Sequence, residues 1–461
     1  MTESATSERL AGWGRLDPRP CQVYRPERRR ALWEILSGAG AAGLIARGLG
    51  RSYGDTSVNE AGAVLAMTRL NRMIGFDPAS GVLECEAGVS LAEILDVFLP
   101  RGFFLPVTPG TKFVTVGGAI ANDIHGKNHH RDGTFGQFVE SMTLLLPSGE
   151  IMVCSPSDHA DIFWATVGGI GLTGIILTAR LRLHGVQSAY VRVDYHKSPD
   201  LDDALGTMAA SDERYKYSVA WVDCLAGGKA LGRSILMQGD HALPEHLPAR
   251  LQAAPLAAPR ARQKRIPLDF PSFVLNPLSI KAFNTLFYAS HLRTQGVIVH
   301  YDKYFYPLDR ILDWNRMYGK AGFVQYQATL PIDQRQGLVR VLERLSQSRR
   351  ASFLAVLKCF GAGNPGLLSH PIRGYTLTLD IPNRPGLIPF LHELDAILLE
   401  HGGRLYLAKD AAAMPETIAA MYPRLPEFRA LKERLDPEHK LTSSMARRLG
   451  IVPGGTGHGD A

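Results

Sequence analysis

The first third of the chain alternates short apolar or β-branched runs with glycine. AAGLIARG (41–48), AVLAM (63–67), GVLECEAG (81–88) and MTLLLPSGEIMVCS (142–155) have the length and residue types of strands. The last of these reads as a hairpin, with Pro147-Ser148-Gly149 supplying the turn. SLAEILDVFLP (90–100) instead repeats its apolar residues at helical spacing behind a serine suited to the N-cap. Hairpins mixed with helices point to an α+β class rather than a strictly repeating βαβ chain.

The pattern shifts after about residue 188. FVQYQATLP (323–331), FLAVLKCF (353–360) and GYTLTLDIP (374–382) are strand-like, and helical patterns such as GLVRVLERLSQS separate them. PGLIPFLHELDAILLEHGG (385–403) is an amphipathic helix that ends in glycine. Residues 244–267 are rich in proline and alanine and carry Arg250, Arg260, Arg262, Lys264 and Arg265. They read first as a mobile, solvated surface loop and second as a contact for anionic lipid headgroups. The last twelve residues are expected to fray.

Length and composition narrow this picture only partly. The 461 residues suggest two or three domains, and 45% apolar with 21% charged residues is ordinary for a folded chain. Residues 1–20 hold no continuous apolar core of a secretory signal, and Val167 to Leu181 is too short and glycine-rich to span a membrane. Five cysteines, at 21, 85, 154, 224 and 359, form no CxxC pair, so neither a disulfide framework nor a zinc ribbon is expected. A soluble, reduced protein is the expectation. The net charge of +7 suits nucleic acid, anionic lipid or a phosphorylated substrate equally.

Three glycine-rich segments could carry chemistry. In Arg47-Gly48-Leu49-Gly50-Arg51-Ser52-Tyr53-Gly54-Asp55, backbone N–H groups can encircle a phosphate beside two arginines, although an ordinary turn has the same glycine content. A second segment runs from Thr108-Pro109-Gly110-Thr111-Lys112 through Gly117-Gly118-Ala119-Ile120-Ala121-Asn122 to His125-Gly126-Lys127-Asn128-His129-His130. Its small residues suit a planar cofactor lying against the backbone. His125 and His129 are four apart, but no third ligand is placed by spacing, so no metal is expected. The third, Gly168 to Gly174, contains a formal GxGxxG. A dinucleotide fingerprint must follow a strand and open a helix, whereas here DIFWATV looks helical and IILTARLRL looks extended.

Taken together, IARGLGRSYGD, PGTKFVTVGGAIANDIHGKNHH, IFWATVGGIGLTGII and GGRLYLAKD resemble the FAD-linked oxidoreductases of the vanillyl-alcohol oxidase/p-cresol methylhydroxylase type. The likeness runs from LAGWGR (10–15) to SSMARRL (443–449), and DIHGKNHH is its most specific run. More narrowly, it resembles members that oxidise a polyprenyl-phosphoryl ribose. The resemblance implies a discontinuous FAD-binding domain (1–188 and 404–449), an antiparallel-sheet substrate domain (189–403) and a flexible tail (450–461).

The resemblance also implies site residues. Arg47, Gly48, Leu49, Gly50, Arg51, Ser52, Tyr53 and Gly54 would hold FAD with Pro109, Gly110, Thr111 and Thr115. Gly117, Gly118, Ala121, Asn122, Ile124, His125, Gly126 and Asn128 would line it, as would Gly171, Gly174, Ile175 and Tyr406. Lys409 and His125 are the implied catalytic residues. Tyr53, Tyr304, Gln325, Gln327, Lys358, Thr376, Thr378 and Lys409 would bind substrate. Hydride would pass from the sugar C2 to the flavin, a cation would stabilise the charge of the ring, and His125 or a water would take the hydroxyl proton. Taken alone, Lys409 could merely pair with Asp410, and His125 could merely hydrogen-bond a loop.

The implied activity is oxidation of the 2′-hydroxyl of decaprenylphosphoryl-β-D-ribose to a ketone, the first half of an epimerisation to arabinose. The implied partners are a short-chain NAD(P)H-dependent reductase and a quinone or other electron acceptor, with peripheral membrane contact and no nucleic acid. The cytoplasmic face of the inner membrane is the expected location, the periplasm or envelope the alternative. Two rival readings are an oxidase of free alditols and a non-catalytic lipid-binding scaffold. Flavinylated relatives carry a histidine where Arg51 stands, so non-covalent FAD is expected. Thr378 stands where mycobacterial members have a cysteine, and its hydroxyl is a far poorer soft nucleophile. Inhibitors that depend on covalent capture by that thiol are therefore expected to leave no adduct on this chain, and intact-mass detection of an adduct at Thr378 would refute this.

Overall fold

The computed structural model describes residues 4–258, 262–350 and 354–453. The early apolar runs form strands Leu44–Arg47, Ala63–Ala66 and Val82–Glu86, and the hairpin pairs Val139–Leu145 with Ile151–Cys154. The helix Leu91–Phe98 opens on a capping box: Ser90 accepts the Glu93 backbone N–H, and Glu93 accepts that of Ser90. It buries Leu91, Ile94, Leu95 and Phe98, the i, i+3, i+4, i+7 stripe that the sequence pattern shows. Helix Ala160–Thr166 precedes the GxGxxG and strand Ile175–Arg182 follows it, the reverse of a dinucleotide fingerprint.

Three larger sheets organise the described residues. A four-stranded sheet has the order Thr6–Leu10, Arg19–Tyr24, Ala63–Ala66, Leu44–Arg47. A five-stranded antiparallel sheet has the order Met73–Asp77, Val82–Glu86, Ile175–Arg182, Val139–Leu145, Ile151–Cys154. The third, eight-stranded and antiparallel, begins with Thr294–His300, Tyr190–Ser198, Ser234–His241 and Tyr217–Val222. It continues through Ala355–Phe360, Gly374–Pro382, Phe323–Pro331 and Arg404–Leu405. Helices plus antiparallel sheets make the fold class α+β.

The two faces of the large sheet differ in chemistry. Side chains alternate along a strand, so Val324, Tyr326, Ala328 and Leu330 share one face with Leu357, Leu377 and Leu379. That face packs under helices Leu201–Ser211, Arg335–Ser348 and Leu387–Glu400, through residues such as Leu205, Val341 and Leu394. The opposite face carries the polar members of the same strands.

After the large sheet the chain returns to the first one. Leu44 N–H donates to Lys440 O at 2.7 Å, and Thr442 N–H donates to Leu44 O at 2.9 Å. Asp436 accepts the backbone N–H groups of Lys440 and Leu441 and pairs with the buried Lys432 ammonium. Arg448 then forks onto Asp55, with Nη2 at 2.7 Å and Nε at 3.1 Å, while Nη2 also reaches Asp410 at 2.9 Å.

Two sequence expectations need correction. Residues 244–267 are not simply a solvated loop: they hold the turn Pro244–His246, the helix Ala249–Gln252 and a short strand Lys264–Arg265 parallel to Ile311–Leu312, and Leu247 is buried. Arg260, within that segment, lies outside the described residues, as does Phe353 of the strand expected over 353–360. The tail is not free from residue 450 onward, because Ile451 and Val452 are buried in the large core cluster. Residues 454–461 lie outside the described residues.

Removing Arg448 would strand the buried Asp410 carboxylate. Arg448→Met should therefore cost about 3 kcal/mol in denaturant unfolding. Arg448→Lys should recover only part of it, since an ammonium lacks the planar fork that places two N–H bonds on Asp55 while reaching Asp410.

Candidate active site

The first glycine loop leaves strand Leu44–Arg47 and runs back against two distant segments. A Cβ on Gly48 would lie 2.2 Å from Thr115 Oγ1, and one on Gly54 would lie 1.9 Å from Asp410 O. These close approaches admit no side chain. They put the loop beside the 109–115 segment on one flank and the 406–411 segment on the other, where Tyr53 N–H also donates to Ala408 O at 3.0 Å. Arg47 is spent on the fold, donating to Ala11 O at 2.7 Å and Ser57 O at 3.1 Å. The guanidinium of Arg51 stacks on Trp13 at 3.8 Å.

Thr115 N-caps the helix Val116–Ala121 by accepting Gly118 N–H at 3.2 Å. The segment after the GxGxxG helix backs this one, with Gly168 N–H on Ile120 O and Ile170 N–H on Ala121 O. Asn122 then meets Tyr406, whose hydroxyl donates to Asn122 O at 2.6 Å. Asn128 holds the loop by donating to Pro106 O at 2.8 Å and Asp132 at 2.6 Å. The site thus joins three stretches that are far apart in sequence.

Above them stands the polar face of the large sheet. Across strands Phe323–Pro331 and Gly374–Pro382, Gln325 lies opposite Asp380, Gln327 opposite Thr378 and Thr329 opposite Thr376, while Lys358 on the next strand lies opposite Thr376. Directly paired residues share a face, so two glutamines, three threonines, an aspartate and a lysine form one array. Gln325 Nε2 donates to Asp380 Oδ1 at 2.5 Å. Gln327 Nε2 lies 2.7 Å from His125 Nε2 and 3.2 Å from Thr376 Oγ1.

That amide bridges two acceptors, which occupies the His125 Nε2 lone pair and leaves the proton on Nδ1. Burial, with the nearby Lys358, drives the His125 pKa well below its ordinary value, so the ring is neutral. Burial likewise pushes His129 down to about 3 and His370 well below the histidine range. The rings of His125 and His129 are 6.4 Å apart, and among the described residues no group of three could hold a metal.

Lys409 Nζ sits 3.9 Å over the Tyr53 ring. Its ammonium is disfavoured by burial, supported by Asp380 and opposed by Lys358. Asp410 is not its partner, because that carboxylate takes Arg448 and the backbone N–H groups of Ala412 and Ala413. Burial alone lowers Lys358 to about 8, and burial with Lys358 lowers Lys127 to about 7. Lys127 Nζ donates to Tyr304 O at 2.7 Å and lies 4.9 Å from the Tyr304 ring.

The structure therefore brings Tyr53, Gln325, Gln327, Lys358, Thr376, Thr378, Tyr406, Lys409 and His125 around one site. Ile175 lies in the apolar cluster of Leu32, Leu44 and Leu145, and Gly174 packs against Leu144 and Leu145. Asp380 and Lys127 were missed by sequence reasoning. Asp380 was within reach, because residues 376, 378 and 380 alternate onto one strand face.

The site fits a large polar cofactor. Among the described residues, Arg51 Nε, Asn122 Oδ1 and His125 Nδ1 are buried without a hydrogen-bonding partner. They lie on the loop segments that the close glycine contacts bring together. Such buried groups are costly unless something pairs with them.

Comparison with known proteins agrees. A family profile described as FAD binding domain matches residues 20–155, and one described as D-arabinono-1,4-lactone oxidase matches residues 382–449. A decaprenylphosphoryl-β-D-ribose oxidase from Mycolicibacterium smegmatis is 40% identical over 452 residues, covering 97% of this chain and 98% of that protein. An L-gulonolactone oxidase from Mus musculus is 30% identical over 165 residues, 35% of this chain and 37% of its own. With a match across nearly the whole length, the chain belongs to the decaprenylphosphoryl-β-D-ribose oxidase family of FAD-dependent oxidoreductases.

Proposed function

We propose that this chain oxidises the 2′-hydroxyl of a polyprenyl-phosphoryl ribose to the 2′-ketone. The observation that carries this reading is the array of Gln325, Gln327, Thr376, Thr378 and Lys358 on one sheet face, with Lys409 close to Asp380 and Lys358 beside it. Amides and hydroxyls of that kind pair with sugar hydroxyls, and the lysines suit an anionic phosphoryl group. The name and 40% identity of the mycobacterial relative support the same substrate class. On this reading residues 1–188 and 404–449 form the cofactor part, and 189–403 form the substrate part.

FAD, when bound, supplies the acceptor for the hydride that leaves the sugar C2. The loops around Gly48, Thr115 and Asn122 would hold it, without a covalent link because Arg51 replaces the histidine of flavinylated relatives. Lys409 Nζ, whose charged form Asp380 supports against the larger effect of burial, stabilises negative charge and orients the reacting hydroxyl. Asp380 acts through Lys409 and is a positioning residue. His125 donates through Nδ1–H. Because its Nε2 already accepts from Gln327, water is the better supported acceptor of the hydroxyl proton. A short-chain NAD(P)H-dependent reductase would complete the epimerisation, and a quinone or similar acceptor would take the electrons. No helix among the described residues is long and apolar enough to cross a membrane, which is compatible with a peripheral enzyme at the inner membrane.

Anaerobic addition of polyprenyl-phosphoryl ribose should bleach the flavin absorbance of the holoenzyme, xylitol should not, and Lys409→Ala should stop the bleaching while the protein stays folded. Bleaching by free polyols alone would overturn the assignment. The pH dependence tests the role of Asp380. Lys409 works as an ammonium, so the rate falls as pH rises through its pKa, which Asp380 raises and burial and Lys358 lower. Asp380→Asn should move that limb to lower pH, and competitive acetylation of the apoprotein should show Lys409 losing its proton earlier. An unmoved limb would remove Asp380 from this role.

A further inference from the structure

Helix Pro277–Ser290 starts from Asn276, which accepts the N–H groups of Leu278 at 2.8 Å and Ser279 at 3.1 Å. Its inward side is fixed by specific contacts. Ile280 and Asn284 are buried, and Asn284 Nδ2 donates to Asp223 Oδ1 at 2.7 Å. Phe287 packs on Trp221 at 4.6 Å, and the Tyr288 hydroxyl donates to Ser198 O at 3.2 Å.

These anchors turn Leu278, Ala282, Leu286 and Ala289 outward, at i, i+4, i+8 and i+11. A surface helix normally shows water its charged face; this arc has no charge at all. Leu278 is 80% exposed and Leu286 71%, and Leu268, Phe273 and Leu292, close to the helix in sequence, are exposed by 75%, 73% and 71%. Contiguous exposed apolar side chains of this size mark a contact surface.

The rim is basic. Between residues 262 and 293 the cations are Arg262, Lys264, Arg265, Lys281 and Arg293, all exposed, of which Arg265 lies 3.5 Å from the Asp313 carboxylate. The only carboxylate there, Asp269, is bonded to Arg15 at 2.5 Å. An apolar arc within a cationic rim is complementary to the surface of an anionic bilayer, with leucines below the headgroups and cations among them.

The position also matters. Trp221, on which the helix rests, lies opposite Val356, and Val356 lies opposite Thr378. Two strand spacings, roughly 10 Å, therefore separate the helix support from the polar array on the same sheet face. We infer that helix Pro277–Ser290 and its basic flanks dock on an anionic lipid surface, holding the open side of the polar sheet face toward the leaflet. The inference gives the proposed polyprenyl substrate a route to the site, and in that respect rests on that reading. Its geometry does not.

The test is co-sedimentation of the FAD-loaded full chain with vesicles of 30% phosphatidylglycerol in phosphatidylcholine, against phosphatidylcholine alone. The wild type should sediment with the anionic vesicles, and Lys281→Glu/Arg293→Glu should weaken binding. Leu278→Asp/Leu286→Asp should cut the bound fraction at least tenfold. Both variants should keep the flavin spectrum, the gel-filtration volume and turnover of a short, water-soluble prenyl-phosphoryl ribose. Equal binding by the leucine variant, or no binding by the wild type, would overturn the inference. So would a wild-type dimer that the leucine variant splits, since the arc would then belong to a second copy. Failure of the soluble substrate to bleach the flavin would instead strike the proposed function and leave the vesicle result standing.

Discussion

Much of this structure depends on where one guanidinium sits. Arg448 is among the last described residues, yet it binds Asp55 at the end of the first glycine loop and Asp410 beside Lys409. Burial disfavours its charge, but the two carboxylates outweigh burial and raise its pKa. A planar guanidinium meets a carboxylate with two parallel N–H bonds in a fixed geometry, which the three donors of a lysine ammonium do not reproduce. The register of three remote segments is thereby set by a few charge-assisted bonds. With Gly54 pressed on Asp410 O, that register fixes Tyr53 under the Lys409 ammonium.

The site itself works against stability. One face of the large sheet is apolar under three helices, and the other collects amides, hydroxyls and ammonium groups. Lys127, Lys358 and Lys409 all lose ammonium character to burial, and three histidines are held neutral. Such an arrangement is unfavourable without ligands, and groups with displaced pKa values cluster where chemistry is done. The apolar face, with its interdigitated leucines, supplies the compensating burial.

How much of this the sequence disclosed depends on how local each feature is. Strands Phe323–Pro331 and Gly374–Pro382 match the apolar runs residue for residue, because long runs bounded by turn residues have little alternative. The capping box at Ser90 is equally local. The elements within residues 244–267 were not legible, since helices and strands of two to four residues carry no period and exist only through packing. Lys409 was visible through its motif, but its partner was not: Asp410 is adjacent in sequence, whereas Asp380 arrives by strand register. The tautomer of His125 is likewise a property of Gln327, two hundred residues away.

The return of the chain to its first sheet has a consequence for synthesis. Strand Leu44–Arg47 leaves the ribosome long before the segment it pairs with, since Leu44 completes its backbone hydrogen bonds with Lys440 and Thr442. Contacts of such separation form late and slowly, so the glycine loops wait, half-built, while nearly four hundred residues are made. During that interval the edge of the four-stranded sheet is open, the condition under which unfinished domains pair wrongly. The glycine loop beside Thr115 and Asp410 therefore takes its final shape only after the returning segment has joined the sheet.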